Sequence, residues 1–358
     1  MIASSYIDAC EEIIIYRVHS IDMEDLYIIG IVAFCAMLYT LCRVFGPLKH
    51  TVGDDFSVSS TTTRGVAIVT GSNTGIGFET ALALAKKNYN VILACRNESK
   101  GRRAVRKINE QTISRRARFM KLDLSSSSSI VNFVKSLDEA PRILVNNAGL
   151  NTFGETRYTE DGLEIHFGVN YFGHFFLTTL IIDRFFENEE RHLRVVNLSS
   201  VTHWKGHCDF RTLSRTYRKD SYSSSKLAMN LFTLELRRRH KNVCAVAVNP
   251  GAVFTDIYRD MQSECLLKII RSTFLSSKLG SRTSVFAASA SVGDLRGNIY
   301  LTPYFVPRFL PECLRACFDI GGPFYAGVHG TAPSYNSRSR ILGNELWEYS
   351  EVLAAEFL

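Results

Sequence analysis

A disulfide framework is missing from this chain. Its nine cysteines, at positions 10, 35, 42, 95, 208, 244, 265, 313 and 317, are irregularly spaced over 358 residues. Several lie in apolar runs, where a reduced and buried thiol is the usual state, so the pattern suits a reducing compartment. No internal repeat is visible. The formal net charge of +7 comes without a nucleic-acid-binding motif or a set of aromatic platforms, which argues against a nucleic-acid partner. His203, His207 and Cys208 have zinc-like spacing but no evident fourth ligand, so no metal is expected. Bilayer-length apolar runs are scarce as well. The one present is Leu26 to Cys42, 17 residues without a charge, and it extends past Arg43 to Phe45. Twenty helical residues span about 30 Å, the thickness of a hydrocarbon core. Acids at 11, 12, 22, 24 and 25 precede the run, while Arg43, Lys49 and Arg64 come after it, which places the chain beyond the run on the cytosolic side.

Beyond a polar linker, Val66-Ala67-Ile68-Val69 reads as a central parallel strand buried on both faces. Gly71-Ser72-Asn73-Thr74-Gly75-Ile76-Gly77 comes next, and then a stretch of strong helix formers from Phe78 to Lys87. Strand, glycine turn and helix start form a site where a pyrophosphate can sit on free backbone N–H groups. The next strand, Asn90 to Cys95, ends at Arg96 with no acid there. An arginine at that strand end accommodates a 2′-phosphate, so NADP is expected over NAD.

Tyr222 and Lys226 are four residues apart, on one face of a predicted helix. A free phenol has a pKa of about 10, and lowering it to ~7 takes roughly 4 kcal/mol of differential stabilisation. A neighbouring ammonium, together with the positive nicotinamide ring of an oxidised cofactor, can supply much of that, and such a phenol can trade a proton with a substrate oxygen. Ser200, upstream, can hydrogen-bond the same oxygen.

These motifs, in this order, resemble the short-chain dehydrogenases/reductases, and within them the membrane-anchored, retinol-dehydrogenase-like branch. The resemblance runs from about Arg64 to about Tyr304. It rests on the glycine segment, Asp123-Leu124, Asn146-Asn147-Ala148-Gly149, the Asn170 segment from Val169 to Phe175, Val195 to Ser200, Tyr222 with Lys226, and Asn249-Pro250-Gly251-Ala252-Val253-Phe254-Thr255. It implies catalysis by Asn170, Ser200, Tyr222 and Lys226, with Asn170 organising a water relay to Lys226. It further implies that Asp123 and Leu124 meet the adenine, that Asn147, Ala148 and Gly149 line the cofactor, and that Pro250, Gly251, Val253 and Thr255 close over the nicotinamide. Between Ser200 and Tyr222 lie 21 residues, longer than the wider family's spacing and similar to the branch's longer loop beside the substrate entrance.

The expected architecture is a doubly wound α/β domain of the Rossmann type, with about seven mostly parallel strands and one N-terminal transmembrane helix. The boundaries are a tail over 1–25, the membrane helix over 26–45, a linker over 46–63, the catalytic domain over 64–304 and a substrate-side, membrane-proximal extension over 305–358. The expected activity is NADP(H)-dependent interconversion of a carbonyl and an alcohol on a retinoid-, steroid- or fatty-aldehyde-like molecule, at the endoplasmic reticulum membrane. Its partners are that lipophilic substrate and the lipid bilayer, with a homodimer as a further option. A nucleotide-sensing scaffold without catalysis is the alternative, and the intact set of four polar residues speaks against it.

Overall fold

The computed structural model describes residues 64–303 and 328–358, apart from 188–190, 259–260, 262 and 296. The expected membrane helix over 26–45 and the linker over 46–63 lie outside the described residues. Among the described residues, no helix is long and apolar enough to cross a membrane.

Short apolar strands alternate with helices, and the sheet they build is buried on both faces. The strands are β1 (Val66–Thr70), β2 (Asn90–Cys95), β3 (Arg118–Lys121), β4 (Pro141–Asn146), β5 (Leu193–Leu198), β6 (Val243–Val248), β7 (Tyr300–Thr302) and β8 (His329–Thr331). Their spatial order is 3-2-1-4-5-6-7-8, parallel throughout except for the antiparallel β7–β8 pair. The sheet therefore has eight strands where about seven were expected. The extra one is a three-residue edge strand, His329-Gly330-Thr331, too short to carry a periodic signal. It uses a glycine because a Cβ at Gly330 would stand 1.9 Å from Asn298 Oδ1.

The larger helices are α1 (Gly75–Lys86), α2 (Glu98–Glu110), α3 (Ser127–Lys135), α4 (Gly173–Phe185), α5 (Ser221–Arg239), α6 (Glu264–Thr273), α7 (Ser277–Ser289) and α8 (Arg340–Ala355). Alternate strand residues feed two cores. Ala67, Val69, Val91, Leu93 and Val145 pack under α1, α2 and α7, while Ile68, Ile92, Leu144 and Val195 pack under α3, α4, α5 and α8. Trp347 fixes α8 in place, edge-on to Phe175 at 5.1 Å with the Arg239 guanidinium 4.8 Å over its ring. Tyr171 adds a buried hydrogen bond to Ser350 at 2.7 Å. The fold thus takes core residues from beyond 305, in the last sixteen-residue helix. The sheet order reverses between β1 and β4, and the carboxyl ends of the parallel strands converge on one edge, where such folds bind ligands.

Candidate active site

At the end of β1, Gly71 and Gly75 both take φ +62°, a conformation that costs an L side chain but not glycine. A Cβ on Gly71 would lie 2.9 Å from Ala148, and one on Gly77 would lie 2.4 Å from Asn147 Nδ2 and 2.7 Å from the Gly71 carbonyl. The loop is therefore held tightly against the end of β4. Asn147 holds it there, donating from Nδ2 to the Thr70 carbonyl at 2.7 Å, while the Asn147 and Ala148 amides donate to Thr70 Oγ1 at 2.9 Å each. Ser72 is turned inward and donates to the Val69 carbonyl at 2.7 Å, which leaves Asn73, Thr74 and Ile76 on the half-buried outer side. Thr74 caps α1 without a side-chain hydrogen bond, and the first turn carries no acid. A cradle that only glycine fits, ending in an uncapped helix N-terminus, fits a dinucleotide pyrophosphate.

Arg96 ends β2, 69% exposed along its side chain, with Nε 3.9 Å from Asp123 Oδ2. Asp123 is itself held by the Ser125 amide at 3.0 Å and the Ser125 hydroxyl at 2.7 Å. Leu124 is buried beneath it. On the far side, Thr255 reaches within 3.5 Å of where a Gly75 Cβ would be, so the 250–255 loop overhangs the glycine loop. Gly251, at φ +84°, turns that loop, and Val253 pins it by bridging to Leu275.

The four residues expected to carry the chemistry, Asn170, Ser200, Tyr222 and Lys226, converge at the ends of β4 and β5. Ser200 follows β5 in extended backbone, its hydroxyl accepting the Thr202 amide at 3.2 Å and standing close enough to the Tyr222 phenol, on the first turn of α5, to act on its pKa. Lys226, one turn further, is 4% exposed and donates from Nζ to the Leu198 carbonyl at 3.0 Å. Its Nζ is 5.7 Å from the centre of the Tyr222 ring. Gly149 lies between Lys226 and Asn170, since a Cβ there would be 3.4 Å from both Lys226 Nζ and Asn170 Oδ1. Asn170 is fully buried in a π-helical turn, His166–Phe172, that leads into α4. It grips the Leu150 backbone in both directions, at 2.9 and 3.0 Å, and donates to Ser225 Oγ at 3.1 Å.

Burial dominates the electrostatics. It drives the Tyr222 phenol well above its ordinary value, Tyr258 nearby adds to the rise, and the Ser200 hydrogen bond opposes it. The side chain is only half-buried, but its hydroxyl end is desolvated. Burial also lowers Lys226 to about 8. The Lys226 ammonium is directed at the Leu198 carbonyl, and burial sets the direction of the phenol's shift. The result is a protonated phenol beside a lysine that is charged at neutral pH.

The chain matches the short chain dehydrogenase family model over residues 65–265. It belongs to that family, in the retinol-dehydrogenase-like branch. Retinol dehydrogenase 13 of Homo sapiens is 36% identical over 292 residues, covering 79% of this chain and 82% of the relative. Retinol dehydrogenase 12 of Mus musculus is 41% identical over 234 residues, 63% of this chain and 73% of its own. Polyprenol dehydrogenase of Homo sapiens is 38% identical over 246 residues, 62% and 72% respectively. Among solved structures, an uncharacterized protein from Mycobacterium paratuberculosis superposes with a TM-score of 0.62 at 29% identity, over 82% of this chain and 94% of that one.

In this short-chain dehydrogenase the structure adds residues that motif reading passes over. Glu164 and His166 are buried together, 2.6 Å apart, and His166 Nε2 accepts the Thr152 amide at 3.1 Å. The imidazole meets the Tyr222 ring edge-on at 6.2 Å, so this pair supports the wall of the site. Phe153, Tyr258, Phe254 and Phe274 form an aromatic group beside it, with centroids 5.8 to 6.3 Å apart. The only sequence cue to the pair is a Glu-x-His spacing just ahead of the Asn170 segment. His203, one of the three residues with zinc-like spacing, is 1% exposed and bonded to backbone, and no metal-type cluster occurs among the described residues.

Proposed function

We propose that the protein is an NADP(H)-dependent oxidoreductase that interconverts a carbonyl and an alcohol on a lipophilic substrate of the retinoid, steroid or fatty-aldehyde kind. The observation that carries this reading is the Ser200–Tyr222 hydroxyl pair with Lys226 one helical turn away. In the reducing direction, protonated Tyr222 gives its proton to the developing alkoxide while Ser200 holds the same oxygen. In the oxidising direction it takes the proton back. Lys226, cationic below about pH 8, stabilises the phenolate left behind, and Asn170 orders the approach to Lys226 through Leu150 and Ser225. The nicotinamide, when bound, supplies or accepts the hydride. Gly71 and Asn73 to Gly77 would hold the dinucleotide's pyrophosphate, Asp123 and Leu124 would flank its adenine, Asn147 to Gly149 would line the approach of the nicotinamide, and Pro250, Gly251, Val253 and Thr255 would cover it. Exposed Arg96 is free to turn toward a 2′-phosphate, which supports NADP.

Lipophilic substrates fit the aromatic group of Phe153, Phe254, Tyr258 and Phe274, and both retinol and polyprenol dehydrogenases are relatives of this chain. The apolar run over 26–45 tethers the catalytic domain to the endoplasmic reticulum membrane on its cytosolic side, a reading supported by the acids before the run and the bases after it. The deciding experiment measures NADPH consumption by purified protein over a panel of lipophilic aldehydes and ketones. Turnover of at least one, faster with NADPH than with NADH, is expected. Cofactor binding without turnover across the panel overturns it and favours a nucleotide-sensing scaffold.

A further inference from the structure

A turn near the C-terminal helix, at Ser334–Ser337, is linked through His203 to the backbone of Ser200. The Ser200 carbonyl accepts two bonds from His203, one from its backbone amide at 3.2 Å and one from its ring Nδ1 at 2.6 Å. Because Nδ1 faces a carbonyl, it carries the proton, and Nε2 is left as an acceptor. That acceptor receives the Ser334 amide at 3.1 Å. Ser334 then bonds Ser337 hydroxyl to hydroxyl at 2.9 Å, and Ser337 accepts from Asn230 Nδ2 at 3.1 Å. Asn230 is on α5, in the same helical row as Tyr222 and Lys226, at successive steps of four. All four linking side chains are buried, and the His203 ring is packed between Trp204 and Tyr300 at 5.1 Å each.

From this chain of bonds we infer that His203 is a positioning residue, and that the Ser334–Ser337 turn clamps the Ser200 loop to the helix carrying Tyr222 and Lys226. Ser200 and Tyr222 come from different elements, with 21 residues between them, and their hydroxyls must meet on one substrate oxygen. A neutral imidazole is the one side chain here that donates to the Ser200 carbonyl and accepts from the turn at once. The inference rests on the proposed reaction for its kinetic consequence and on geometry alone for its structural one.

A double-mutant cycle on the full-length protein separates a clamp from ordinary packing. His203→Asn keeps a donor for the Ser200 carbonyl and loses the reach to Ser334, while Ser337→Ala cuts the chain at its other end. Each should lower kcat by about tenfold with cofactor affinity unchanged, because small displacements of catalytic groups are costly in rate. The double variant should be little slower than either single one, since both break the same link. Multiplicative losses, or losses confined to KM, overturn the clamp. His203→Ala, which loses both contacts, should be slower than His203→Asn; equal rates also contradict it. If wild type turns over nothing, the reaction reading fails by itself, and hydrogen exchange still decides the clamp. Ser337→Ala should then weaken protection of both the 334–337 amides and the first turn of α5 around Tyr222. Loss confined to 334–337 overturns it.

Discussion

Lys226 carries its ammonium into a site with 4% exposure, where burial lowers its pKa from 10.5 to about 8. Between those two values the unfolded chain holds a proton that the native state has released, so stability rises with pH across that window. Below about pH 8 both states are charged and the cost is fully felt, on the order of 3 kcal/mol. Lys226→Met should therefore stabilise the protein at pH 7, and the advantage should shrink from pH 8 upward, as read by urea unfolding at pH 7 and 9.5. The same variant should lose turnover. A lysine that stabilised the fold would give the opposite sign at pH 7. Arg96, exposed and only loosely paired with Asp123, belongs to a different regime. Arg96→Asp should shift the ratio of the NADP and NAD Michaelis constants toward NAD by about tenfold or more, the equivalent of one charge-assisted hydrogen bond. An unchanged ratio would mean that another side chain reads the phosphate.

The glycine turn between β1 and α1 is the element most sensitive to one methyl group. A Cβ on Gly77 would meet the Gly71 carbonyl at 2.7 Å and Asn147 Nδ2 at 2.4 Å, and the carbonyl cannot swing away as a flexible side chain would. Gly77→Ala should cost about 1–3 kcal/mol in thermal or urea unfolding and weaken cofactor binding, while Asn73→Ala should leave stability unchanged. This element was legible in the sequence because an apolar run, spaced glycines and a helix-forming stretch are all local signals. Tyr222 with Lys226 was legible for the same reason, as a spacing of four on one helix. The Glu164–His166 pair and His203 were not, because their meaning depends on Thr152, Tyr222 and Ser334, which only the folded chain brings near. The π-helical turn that seats Asn170 likewise depends on distant packing, since a Cβ on its Gly168 would stand 2.4 Å from Thr159.

At the scale of the whole molecule, the sheet and both of its cores are built, among the described residues, from the chain between Val66 and Ala354. Removing residues 1–46 should leave a folded, NADPH-binding protein and release it from membranes under carbonate washing. Retention of an active truncated protein in the pellet would mean that a second segment also holds the bilayer. A soluble product that loses its cofactor would show that the N-terminal stretch belongs to the fold. The C-terminal end was less legible than the β1–α1 segment. Strand β8 is three residues long, and α8 takes its place through distant contacts such as Trp347 and Ser350 against α4 and the turn before it. These are contacts across more than 170 residues of sequence, which no local pattern encodes.

The most direct test of the proposed chemistry is Tyr222→Phe, which keeps the ring against His166 and removes the proton that Ser200 helps to hold. NADPH affinity should stay within about twofold, whereas turnover of the best carbonyl substrate should fall by about a hundredfold or more, as expected for loss of a general acid. Turnover within a few-fold of wild type, with affinity intact, would contradict the assignment of Tyr222 as the proton donor and with it the proposed reaction.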